Sequence, residues 1–219
     1  ALRVRKQFLY ENRKNVKAAI IVWDQQEKYL DRKHVIEAAW NWINMTIPVI
    51  SSTFASFSRM CKNLGAETLG HLFIDEAGQA LPQAAVGAIY RSRHVMVVGD
   101  PLQIKPVLTL DSNTLYMLGE HFGVTEKYLS ASASAQILAD AASQYGFYRK
   151  QDKAEDSWVG IPLWVHRRCR YPMFTISNMI SYDGFMVQGM EKYGKADWFD
   201  VGGMANNKYV EEQGEFLLH

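Results

Sequence analysis

The chain has 219 residues, 48% of them hydrophobic, six Trp and a formal net charge of +1. That is enough apolar material for a real core, no apolar run approaches the ~20 residues of a membrane span, and the opening Ala1-Leu2-Arg3-Val4-Arg5-Lys6-Gln7 has no apolar stretch of a secretory signal. A net charge near zero gives no global basic field for nucleic acid, and two cysteines, Cys61 and Cys169, make no disulfide framework, which points to a reducing, cytoplasmic compartment.

Residues 1–45 read as helix, in two pieces, with Val35-Ile36, Ala39-Trp40 and Ile43 at helical spacing. Pro48 ends that stretch, and Val49-Ile50-Ser51-Ser52 reads as a short buried strand. Residues 54–64 suit a helix closed by Gly65. An apolar strand then runs to Asp75, a helix occupies about 79–90, and a second apolar strand runs to Gly99. Apolar strands separated by helical crossovers predict an α/β domain with a parallel sheet, and in such sheets ligands sit at the carboxyl ends of strands.

Beyond residue 110 the pattern is less regular. Leu115–Leu118 and Ala135–Ala142 look helical, Gln151–Asp156 reads as a polar loop, and a strand is expected at Gly160–Val165. A helix follows from Tyr171 to Ile180, Gly184 starts a turn, and Trp198-Phe199-Asp200-Val201 suits a short strand. Basic residues gather in two places: residues 1–19 hold six Lys/Arg against one Glu, and Arg167, Arg168 and Arg170 lie together. A solvated face is the simplest account of such clusters.

The chemistry concentrates at two strand tips. His71-Leu72-Phe73-Ile74 runs straight into Asp75-Glu76, followed by Ala77-Gly78-Gln79-Ala80. Hydrolysis of a nucleoside triphosphate needs a cation across the β- and γ-phosphates, a positioned water and positive charge on the transferring group. Asp75 suits the magnesium role and Glu76 the proton acceptor for the attacking water. Taken alone, the dipeptide is more simply an ordinary turn after a strand. Gln103, four residues past Gly99 at the second tip, has an amide able to bond both a γ-phosphate oxygen and a water, although Pro101 also favours a plain turn there. Arg168, where an apolar strand enters the arginine cluster, suits an arginine finger, against the plainer reading of a charged helix start.

Together these residues resemble superfamily 1 helicases, in the 5′-to-3′ branch that contains the nonsense-mediated-decay and Okazaki-fragment-processing enzymes. Asp75-Glu76-Ala77-Gly78-Gln79-Ala80 resembles motif II, the Walker B element, and Val98-Gly99-Asp100-Pro101-Leu102-Gln103-Ile104-Lys105-Pro106 resembles motif III. His166-Arg167-Arg168-Cys169-Arg170-Tyr171-Pro172, with Ser177-Asn178 and Tyr182-Asp183-Gly184, resembles motif IV and its helix, and Val49-Ile50-Ser51-Ser52-Thr53 is similar to motif Ic. Arg167 and Tyr171 depart from the aromatic and the His common in motif IV.

The resemblance implies a RecA-like P-loop NTPase lobe over 1–157 and the start of a second such lobe over 158–219. Within the first, 1–47 would be helical and 48–110 would carry the core strands. It also implies ATP and Mg2+ as cofactors, with Asp75 on magnesium, Glu76 as base, and Gln103 and Arg168 on the γ-phosphate. Single-stranded DNA or RNA would be the partner, contacted near Ser52 and Thr53. No Gly-x-x-x-x-Gly-Lys-Ser/Thr occurs in the sequence, so the chain is expected to be an internal piece of a larger helicase, partnered by the remaining helicase segments of its parent. A catalytically silent helicase-like module that binds nucleic acid or protein is the alternative. A transporter-type ATPase is disfavoured, because no Leu-Ser-Gly-Gly-Gln signature is present.

Overall fold

The structure, a computed structural model, describes residues 1–100, 102, 104–108, 110–125, 128–129, 133–150, 157–190 and 193–218. The chain divides into two compact units, Ala1–Ile161 and Pro162–His219.

The first unit opens with three helices rather than the expected two: α1 (Leu2–Glu11), α2 (Arg13–Asp24) and α3 (Lys33–Thr46), with a short 3-10 turn at Gln26–Tyr29. Asn12 causes the first break. Its own backbone leaves helical geometry (φ −97°, ψ 21°), so the last bond of α1 runs from Asn12 N–H to Phe8 O and the first of α2 from Val16 N–H to Asn12 O, with Asn12 as the joint between two helices. The Arg5 guanidinium donates to Met45 O (2.8 Å) and Thr46 O (2.6 Å), satisfying carbonyls at the end of α3 that the helix leaves unpaired.

The predicted strand over 49–52 does not form. Those residues are exposed, Val49 by 80%, and no neighbouring strand among the described residues offers a ladder. The segment instead delivers Thr53 to the N-terminus of α4 (Phe54–Met60), where the hydroxyl accepts from Ser56 N–H at 3.3 Å. That helix also stops earlier than predicted, at Cys61 rather than Gly65. There the Cys61 carbonyl accepts both from Leu64 N–H at 3.0 Å and from Arg91 Nε at 2.9 Å, and Arg91 Nη1 donates to Gly87 O at 2.8 Å. Ile36 and Trp40 of α3 pack with Cys61 and Leu64 into one core cluster.

The strands around the tips form as expected. β1 (Leu69–Ile74) pairs in parallel with β2 (Ser92–Val97), with Leu72 opposite Val95 and Ile74 opposite Val97, and α5 (Pro82–Tyr90) is the crossover. Pro82 opens α5, where its missing N–H is harmless. Alternation puts Leu72, Ile74 and Val97 against a second cluster with Ala77, Ala85 and Ala135. The opposite face stays open: Phe73 and Met96 are 68% and 57% exposed, and His71 stacks on His94 with ring centroids 5.0 Å apart. A parallel sheet is ordinarily covered on both faces; here one face is covered.

Two helices complete this unit, α6 (Ser112–Phe122), capped by the Asp111 carboxylate, and α7 (Ala135–Ala142), capped by Ser134. A two-stranded antiparallel pair follows, β3 (Phe147–Arg149) with β4 (Ser157–Val159). The single strand expected at 160–165 is divided between β4 and β5 (Val165–His166), since Pro162 cannot donate to a ladder. The buried Asp140 carboxylate accepts from Gly160 N–H at 3.1 Å and from Gln136 Nε2 at 3.0 Å. The loop expected at 151–156 lies outside the described residues.

In the second unit, β5 pairs in parallel with β6 (Val187–Gln188) across α8 (Met173–Ser181), and α9 (Glu211–Leu218) ends the described chain. Asn178 holds the return from α8: its Nδ2 donates to Met186 O and its Oδ1 accepts from Met186 N–H, both at 3.0 Å. Gly184, with φ +78°, makes the predicted turn. Residues 198–201 form no strand; Trp198 is 79% exposed and its segment has no ladder partner among the described residues.

Candidate functional site

β1 ends at Ile74, and the chain turns so sharply at its tip that Glu76 is left-handed (φ 53°, ψ 37°). That conformation is costly for a side chain with a Cβ and concentrates at functional turns. It makes Asp75 and Glu76 both exposed at the carboxyl end of the strand. The Glu76 N–H donates to Asp75 Oδ1 at 3.0 Å, and Gln79 Nε2 donates to Glu76 Oε2 at 3.1 Å. One carboxylate oxygen of each residue therefore fixes the turn. Hard cations prefer oxygen donors of this kind.

The second tip is bonded to the first. Val98 N–H donates to Ile74 O at 2.8 Å, and Ala77 N–H donates to Val98 O at 3.1 Å, extending the ladder past both strands. Gly99 then lies so close that a Cβ there would meet Gly78 N at 2.5 Å and Ala77 N at 2.7 Å. Beyond it, Asp100 accepts from Leu102 N–H at 3.0 Å, closing a turn. From below, Ala135 N–H donates to Ala80 O at 2.8 Å, fastening α7 to the segment after the carboxylates.

The structure thus brings together Asp75, Glu76 and the Gly99-Asp100 turn. Gln103 lies outside the described residues. Arg168 lies in the second unit, just after β5, where the Cys169 N–H donates to His166 Nε2 at 2.9 Å. Ser52 and Thr53 are exposed, and the Thr53 hydroxyl is engaged as the cap of α4. Among the described residues no group of three or more His, Cys, Asp or Glu is arranged to hold a metal. Sequence reasoning passed over Gly99 and Gln79 as site-shaping residues. The only local signal for Gly99 was a glycine at a strand end, which often marks close backbone approach.

No helix among the described residues is long and apolar enough to cross a membrane. No curated protein and no solved structure matches the chain. The helical segment, β1, β2 and both strand tips fall within residues 2–110, which match the family model described as an AAA domain.

Proposed function

We propose that this chain carries the hydrolytic carboxylates of an ATP-driven helicase or translocase of the superfamily 1, 5′-to-3′ type. The observation that carries this reading is the backbone contact of Gly99 with Ala77 and Gly78, which holds the two strand tips as one unit. Asp75 would hold Mg2+, which neutralises charge across the β- and γ-phosphates. Glu76, aimed by its left-handed backbone and its bond from Gln79, accepts the proton of the attacking water. Gln103 senses the γ-phosphate, and Arg168 supplies positive charge from the second RecA-like lobe. Single-stranded DNA or RNA passes near Ser52 and Thr53, and hydrolysis drives movement along it.

The sequence contains no phosphate-binding loop, so the chain by itself hydrolyses ATP negligibly, because neither a backbone nest nor a lysine holds the phosphates. That same feature favours the second reading, a helicase-like module that binds without catalysis. Mn2+ alone, which the carboxylates can take without a held phosphate, separates the two. The motor reading expects paramagnetic broadening of the amides at 75–79 and 99–100 that Asp75→Asn abolishes. Broadening elsewhere, or none, overturns it, as does robust magnesium-dependent hydrolysis by this chain that disappears in Glu76→Gln.

A further inference from the structure

The basic N-terminal residues gather on the exposed sides of α1 and α2. Within α1, Arg3, Lys6 and Tyr10 recur at helical spacing, and within α2, Arg13, Lys14 and Lys17 do the same. All six are exposed, whereas Arg5, on the opposite side of α1, is turned in to bond the end of α3. Ala19, buried against the other helices, marks that same inner side in α2. Arg13 of α2 links the two half-stripes across the break at Asn12, its Nη1 donating to Tyr10 O at 3.2 Å. Among the described residues none of the five cations is ion-paired; the ion pairs there are Arg32 with Asp31 and Lys62 with Glu27. The one acidic residue of α1, Glu11, is bonded to Gln7. The Arg13 guanidinium lies over the Tyr10 ring, 5.0 Å from its centroid, giving the stripe a planar aromatic element at its middle.

From this geometry we propose that the exposed α1–α2 face binds the phosphate backbone of single-stranded nucleic acid, with Tyr10 as a base-stacking platform. Uncompensated cations with an interleaved aromatic are what a flexible, base-bearing polyanion requires. An acidic protein surface would use the charges but not the aromatic plane. The proposal rests on the nucleic-acid half of the reading above and adds a surface separate from Ser52 and Thr53.

Fluorescence anisotropy with a labelled single-stranded oligonucleotide tests it. Five phosphate contacts give a log–log salt slope of about −3.5, equivalent to roughly 100-fold weaker binding between about 50 and 200 mM salt. The triple variant Lys6→Glu, Arg13→Glu, Lys17→Glu is expected to bind at least tenfold more weakly, and the neutral Lys6→Gln, Arg13→Gln, Lys17→Gln to reduce the slope by about 2 with the helical signal intact. Tyr10→Ala is expected to weaken oligonucleotide binding fivefold or more while leaving polyphosphate binding unchanged. Full binding in both triple variants overturns the stripe and leaves the motor reading standing. No binding by the unaltered chain at low salt overturns both. Equal binding to phosphatidylserine vesicles or polyglutamate, with Tyr10→Ala silent, overturns the assignment to nucleic acid.

Discussion

Gly99 and Ala77 touch through backbone alone: a Cβ at residue 99 would sit 2.7 Å from the Ala77 nitrogen. Ala77 has no accessible surface, and its N–H is spent on Val98 O. Neither partner can retreat, so the turn carrying Asp75 and Glu76 is registered against the turn that follows β2. A site assembled from two strand tips needs such a fixed spacing, since small misplacements of reacting groups are costly in rate.

Gly99→Ala is therefore expected to destabilise the first unit by roughly 1–3 kcal/mol, as overpacking against backbone does. Denaturant unfolding should show a lower midpoint with an unchanged slope. Gly70→Ala, where a Cβ would meet nothing within 4 Å, serves as the strand-glycine control and should be close to neutral.

Glu76 trades stability for geometry. Glu76→Gly relieves the left-handed backbone but loses the bond from Gln79, so folding stability should stay within about 1 kcal/mol of the parent or rise. The same change removes the proposed base, and so does Glu76→Gln, which keeps the strain. Thermal melts of the two variants separate the effects: Glu76→Gly should melt no lower than Glu76→Gln.

Cys61 makes the fold sensitive to alkali. Burial pushes its thiol up from 9.0 to about 11, with the Arg91 charge acting in the opposite direction. The unfolded chain releases this proton near its ordinary value while the folded chain retains it. Stability from this group is thus fully present below about pH 9 and is lost as pH rises towards 11, by roughly 1 kcal/mol at about pH 10. Denaturant midpoints at the two ends of that window should differ less in Cys61→Ala than in the unaltered chain. Alkylation should label the partly accessible Cys169 first, with Cys61 reacting only on unfolding.

Asn178 sets the return of the chain after α8 through two bonds to Met186. Asn178→Ala removes both from a buried position and leaves the Met186 groups unpaired, at a cost of about 2–3 kcal/mol to the second unit. Amide exchange at Met186 should accelerate strongly, while exchange within β1 and β2 stays unchanged.

Much of this was legible in sequence because it is local. The apolar runs ending in Asp75 and at Gly99 identify themselves as strands by composition and by what terminates them, and α3 shows its buried face in the spacing of Ile36, Ala39 and Trp40. The error at 49–52 has the opposite cause: an apolar run becomes a strand only if a neighbour supplies a ladder, and Val49 and Ile50 have none among the described residues. The end of α4 was misplaced where the Cys61 carbonyl also accepts from Arg91, thirty residues away. The strand expected at 160–165 was broken by Pro162, a signal present in the sequence but outweighed there by the apolar residues around it.

By itself, the sequence determined that two carboxylates stand at the end of an apolar strand and that a Gly-Asp turn ends the next. Residue type and period are properties of short stretches, and short stretches can be read directly. Only the tertiary structure decided that the two tips share backbone contact, that Thr53 spends its hydroxyl on a helix end, and that the N-terminal cations face outward together while Arg5 turns in. Each of those depends on atoms brought together from distant positions or on the direction a helix presents to its neighbours, and packing of the whole chain fixes both.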